Sequence, residues 1–140
     1  PANEVRRFVW NIYAPHYVEM VKPRAYGDGF DEEERKAALY TLHAVFKNVL
    51  LLLAPITPFI TDYLWTKLYG SKSIHLEKFP KPVWSKDYAA YTSKIIEFNS
   101  MVWSFKKSLG ISLKDEVEMT LPAELKLFEK DLKAMHRLKT

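Results

Sequence analysis

VFKNVLLLLAPITPFITDYLW, Val45 to Trp65, holds two helices and the break between them. From Ala38 onward the apolar positions widen until the chain is oily on nearly every side, the pattern of a helix in the middle of a bundle. Pro55 ends that helix, because proline donates no N–H and its ring clashes with the preceding turn. Thr57 stands where a cap belongs, with Pro58 at the first helical position, where a missing N–H costs nothing. Phe59, Ile60, Tyr63, Leu64 and Leu68 supply the expected buried face of the next helix, and Gly70 its C-cap.

Working outward, Asp31 with Glu34 three residues later makes a capping box, and the acidic turn Glu32 to Glu34 suits the helix dipole. Upstream, Val5, Val9, Ile12, His16 and Met20 recur three or four apart, as a helix facing a core requires, with Pro15 kinking its middle. Downstream, Pro80 and Pro82 forbid a regular helix in SKSIHLEKFPKPVW. Tyr88, Tyr91, Ile95, Phe98, Val102 and Phe105 then recur at core spacing until Gly110. In EVEMTLP the alternation of Val117, Met119 and Leu121 has the period of a half-buried strand. Pro122 opens an amphipathic helix through Leu125, Phe128, Leu132, Met135 and Leu138. A lone strand needs a partner elsewhere, with the chain beyond Thr140 as one place for it, so the chain reads as a fragment of something longer. The fold class is mainly α. Four long helices, about 3–24, 31–53, 58–69 and 86–108, form a bundle over 1–109, and a strand–helix appendage occupies 110–140.

The 140 residues suit one domain with a real core; 48% are hydrophobic and 27% charged, the balance of a folded soluble protein. Cysteine is absent, which excludes disulfides and thiolate metal sites and fits a reducing, cytoplasmic setting. The longest apolar run, Val49 to Ile56, is too short to span a bilayer, so no membrane partner is expected. A net charge of +4 tilts weakly towards a polyanion.

Catalytic constellations are missing. His16, His43, His75 and His136 fall on different elements without ligand spacing, and His16 reads as a hydrogen-bonded core histidine rather than a metal ligand. GSKS at 70–73 lacks the upstream glycine of a phosphate loop. Binding chemistry is better represented. On an α-helical wheel Arg6, Trp10, Tyr17 and Arg24 share one flank, with Arg7, Asn11 and Lys22 further round. Arginine interleaved with flat rings suits splayed single-stranded RNA, guanidinium on phosphate and rings under unstacked bases. The plainer reading has Trp10 and Tyr17 widening a buried face. Lys67, Lys72, Lys78, Lys81 and Lys86 add a basic loop, of which Lys78 and Lys81 are taken as RNA-binding.

FVWNIYAPHYVEMVKPRAY, then LLLLAPITPFITDYLWTKLYG, then SIHLEKFP together resemble the anticodon-binding helical bundle of the class Ia aminoacyl-tRNA synthetases, over roughly residues 5–84. YAPHYVEMVK and SLGISLKDEVEMTLP are most similar to the valyl branch, of archaeal and eukaryotic type; the isoleucyl, leucyl and methionyl branches are the alternatives. The resemblance implies a tRNA partner, tRNA-Val for the valyl branch, held for a catalytic domain elsewhere in the parent chain. ATP and Mg belong to that domain, whose His-Ile-Gly-His and Lys-Met-Ser-Lys-Ser signatures are absent here, so this stretch needs no cofactor and is not itself catalytic. The family's bundle also has helical material before the position matching Pro1. Glu19 and Lys22, which match the family pattern, would either face RNA or lock the helix to a neighbour by an ion pair. The expected state is a monomer. The competing class is a helical protein-interaction domain, which would show an apolar patch with a polar rim where an RNA reader shows cations beside exposed rings.

Overall fold

The computed structural model describes residues 2–70, 72–81 and 88–139; Lys86 and the expected start of the fourth helix lie outside them. The first helix, α1, runs over residues 2–26 in three stretches: α-helical Ala2–Phe8, π-helical Val9–Val18 and α-helical Glu19–Tyr26. Pro15 sits in the π stretch. A proline cannot fill the usual i→i−4 bond and its ring crowds that carbonyl, and the looser i→i+5 turns relieve that crowding. Gly27 closes α1 in the left-handed conformation at φ 79°, where a Cβ would be strained.

The second helix, α2 (Glu32–Leu53), starts on the expected capping box: Glu34 N–H donates to Asp31 Oδ1 at 2.8 Å, and Asp31 N–H to Glu34 Oε2 at 2.9 Å. Its position is less central than its oily sequence suggests. Only Ala38, Val49 and Leu50 are buried, and Tyr40 is exposed. The helix has α1 along one side and α3 (Pro58–Leu68) along another, and its remaining circumference lies open. By length and composition alone α2 would also suffice to cross a membrane.

For α3 the expected buried face is the wrong one. Phe59, Ile60, Tyr63 and Leu68 are exposed, Phe59 by 90%, while Thr61 and Trp65 are buried and Leu64 half-buried. Apolar residues occupy most of this helix, so period alone cannot choose its inner side. Thr57 also makes no side-chain cap; its hydroxyl donates back to Leu53 O at 3.3 Å. A 3-10 turn, Ile74–Leu76, follows.

The next helix, α4 (Ala89–Ser108), buries Phe98, Asn99, Val102 and Lys106, whereas the expected core positions Tyr88 and Phe105 are exposed. Strand β1 (Val117–Glu118) has its partner inside the chain rather than beyond Thr140. The terminal helix stops short of Leu138: a 3-10 run Ala123–Phe128 leads into α5 (Glu129–His136), and Leu138–Lys139 form β2, parallel to β1. The amphipathic spacing persists through Leu138, but the chain turns at Arg137 and converts that position into a strand.

Two cores result. The larger joins Met20 of α1, Phe98 and Val102 of α4, and Val117, Leu125 and Leu132 of the C-terminal unit. The smaller comprises Leu50, Ala54, Trp65 and Ile74. Residues 110–139 therefore share a core with α1 and α4.

Candidate nucleic-acid interface

The π stretch sets which side chains of α1 face outward. Phe8, Tyr13 and Tyr17 stack in a ladder with centroids 5.8 Å and 5.7 Å apart, at spacings of five and four residues. In an α-helix, Trp10 and Tyr17 would lie two turns apart on one flank; in wider turns they diverge. Tyr17 accordingly turns inward against the larger core, where burial raises its hydroxyl pKa, while Trp10 remains 77% exposed.

The expected flank thus divides. Arg6, Trp10 and Asn11 are exposed, with Arg6 and Trp10 one turn apart. Arg7 is exposed but pairs with Glu4 at 2.7 Å. Arg24 is committed to the fold: it pairs with the buried Asp131 of α5 and lies over the Phe30 ring at 5.2 Å. Burial raises the Asp131 pKa against the opposing pull of Arg24. Lys22 pairs with Glu19 at 2.5 Å, three residues away on the same helix, so this ion pair locks α1 to no neighbour.

The inner side of α1 is fixed by a buried polar chain. Asn99, fully buried, donates from Nδ2 to His16 Nδ1 at 3.1 Å and accepts at Oδ1 from His136 Nε2 at 2.7 Å. An amide has one donating and one accepting end, so this arrangement requires His16 to be unprotonated at Nδ1 and His136 to carry a proton at Nε2. Burial lowers the His16 pKa, and burial together with nearby Lys106 lowers His136 to about 4. Trp103 stacks on His16 at 5.2 Å. Below this chain the ammonium of Lys106 donates to the carbonyls of Leu113 at 2.9 Å, Asp115 at 2.6 Å and His136 at 2.7 Å, using its three donors. His16 is the hydrogen-bonded core histidine its sequence position suggests. Asn99 and Lys106 carried no such signal, since a polar residue on a mostly apolar helix is ordinarily placed in solvent.

Exposed rings and cations also meet beyond α3. In sequence Phe79 (64% exposed) falls between exposed Lys78 and Lys81, which have no ion-pair partner among the described residues, and Lys67 lies over exposed Tyr63 at 5.8 Å. Two acids stand close in the chain, exposed Glu77 and Asp62, whose Oδ1 accepts from Ser73 Oγ at 2.6 Å and Ile74 N–H at 2.9 Å, bonds that lower its pKa. The same carboxylate ties the loop to α3. Among the described residues no group of three or more His, Asp or Glu is arranged to hold a metal ion.

Residues 1–121 match the family model described as the anticodon-binding domain of tRNA ligase. The chain belongs to this family. It is 38% identical to valine–tRNA ligase of Aeropyrum pernix over 98% of its length and 42% identical to that of Pyrobaculum aerophilum over 99%. Valine–tRNA ligase of Nanoarchaeum equitans is 39% identical over 98% of the chain. The chain spans about 18% of the first two relatives and 17% of the third. In this anticodon-binding domain the family match stops before α5 and β2, yet those elements complete the core under α1.

Proposed function

We propose that this chain holds the anticodon arm of a tRNA, tRNA-Val in view of its relatives, for a valine–tRNA ligase whose ATP-dependent chemistry is carried by the rest of the parent protein. The observation carrying this reading is the coincidence of exposed rings with cations that have no ion-pair partner among the described residues, Lys78, Phe79 and Lys81 on the loop and Arg6 with Trp10 on α1. Lysine and arginine would take phosphates, while Phe79 and Trp10 would offer flat faces to unstacked bases. Asp62 on α3 keeps its negative charge while accepting from Ser73 and Ile74, and exposed Glu77 adjoins Lys78; exposed Lys67, Lys72, Lys78 and Lys81 outnumber these two carboxylates around the loop. Translation on this reading places the protein in the cytoplasm.

Titration with tRNA-Val and a non-cognate tRNA at low and physiological salt tests the proposal. The expected result is tighter binding of tRNA-Val and an affinity that falls steeply with salt, because bound cations release counterions. Equal affinity for both tRNAs removes the valine assignment. Binding that stays flat with salt removes the electrostatic interface and favours the protein-interaction alternative, to which the bare Phe59–Ile60 face of α3 would then belong.

A further inference from the structure

Arg137 is the one non-glycine residue among those described with a positive φ, at 51°. It occupies the left-handed position after α5, where glycine is the usual solution and a side chain costs about 1 kcal/mol. Gly27 and Gly110 resolve the same geometry after α1 and α4 with no side chain. The Arg137 backbone contributes to the fold, since its carbonyl accepts from Val117 N–H at 3.2 Å. Its guanidinium forms no hydrogen bond or ion pair among the described residues, and the nearby carboxylate of Glu116 is already bound by Lys139 at 2.7 Å. A costly backbone position thus carries a guanidinium that acts on Glu116 only at a distance and has no direct partner among the described residues.

That group lines a groove of about 520 Å³ between the end of α1, the end of α4 and the C-terminal unit. Tyr26, which is 79% exposed, and the half-buried Trp103 supply two rings to the same groove. Lys114, exposed and without an ion-pair partner among the described residues, adds a second cation. Lys22 and Glu19 cancel each other at 2.5 Å, and Asp28 remains as a lone acceptor. Two such cations, two rings and one carboxylate fit an unpaired nucleotide. Phosphate would meet Arg137 and Lys114, the base would lie on Tyr26, and Asp28 would accept from an exocyclic amine.

We infer that the groove formed by Tyr26, Trp103, Lys114 and Arg137 is a second RNA contact, taking an unpaired nucleotide of the bound tRNA away from the α1 flank and the lysine loop. This inference rests on the reading of the chain as a tRNA holder. It also uses residues beyond the family match, which ends at 121.

The test compares the full chain with Tyr26→Ala and Arg137→Asn in tRNA-Val titrations and thermal unfolding. Asparagine accepts left-handed backbone, so Arg137→Asn removes the charge without adding strain. The expected result is binding weakened about 5- to 150-fold by Tyr26→Ala and several-fold by Arg137→Asn, with unfolding temperatures unchanged or raised. If both variants bind tRNA as the parent chain does, the groove is not an RNA contact. If Arg137→Asn lowers the unfolding temperature, its side chain serves the fold and the inference also fails. Failure of the parent chain itself to bind tRNA would instead overturn the proposed function.

Discussion

The unit of α1, α4 and the C-terminal segment keeps polar groups inside, whereas the unit of α3 and its loop keeps large apolar groups outside. In the first, Asn99, Lys106 and His136 are fully or almost fully buried and supplied with partners. In the second, Phe59, Ile60, Tyr63, Leu76 and Phe79 are exposed around a core of four buried residues. Buried polar chains hold elements in one relative position, while exposed rings offer area to something else. The contrast separates a fixing half, whose outer face still carries the exposed rings of Trp10 and Tyr26, from a presenting half whose large apolar groups mostly face outward.

One substitution made in both halves puts this contrast at greatest risk. Phe98→Ala should cost about 3 to 5 kcal/mol, because a fully packed ring is lost. Phe59→Ala should stay within about 0.5 kcal/mol, since its ring touches mostly water. Urea unfolding of the two variants gives the comparison, and equal costs would erase the distinction.

Acid should weaken the fixing half first. His136 takes up a proton with a pKa near 6.5 when unfolded but about 4 when folded, so the unfolded chain binds more protons in between. Stability should be full above pH 6.5 and decline as pH falls, by about 3 kcal/mol once pH 4 is passed. His16, also lowered by burial, adds in the same direction. Unfolding midpoints between pH 7 and 4 provide the check, and a His136→Phe variant should show a shallower decline.

Smaller effects are expected on the presenting surfaces. Trp10→Ala should leave stability within about 0.5 kcal/mol and weaken tRNA binding by about 1 to 3 kcal/mol if a base stacks there. A stability loss without a binding loss would return Trp10 to a structural role. Lys78→Ala and Lys81→Ala should each lower the salt slope of tRNA affinity by about one unit, the mildest change in the series.

Much of the architecture was legible because local signals dictate it. The Asp31 capping box and the left-handed Gly27 and Gly110 fixed helix ends within a few residues. Helix facing was less legible. α3 is apolar on several sides, so Thr61 and Trp65 could be chosen as its inner pair only by what surrounds them. At α1 the wheel failed for a different reason: it assumed α periodicity through a stretch that is π-helical, and so joined Tyr17 to Trp10. Arg24 likewise read as free because its partner, Asp131, lies 107 residues away. Of the expected RNA-binding set, Arg6, Trp10, Asn11, Lys78 and Lys81 are exposed without an ion-pair partner among the described residues.

The long reach between Arg24 and Asp131, and between Met20 and Leu132, bears on synthesis. Of these elements a ribosome emits α1 before the others, and the residues that cover Met20 and satisfy His16 emerge only with α4 and the C-terminal unit. The core of Leu50, Ala54, Trp65 and Ile74 needs only neighbouring segments and can close much earlier. The nascent chain is thus expected to acquire its presenting half while α1 is still uncovered. Premature release before Leu132 would leave the inner face of α1 exposed, making truncated chains the species most dependent on chaperones.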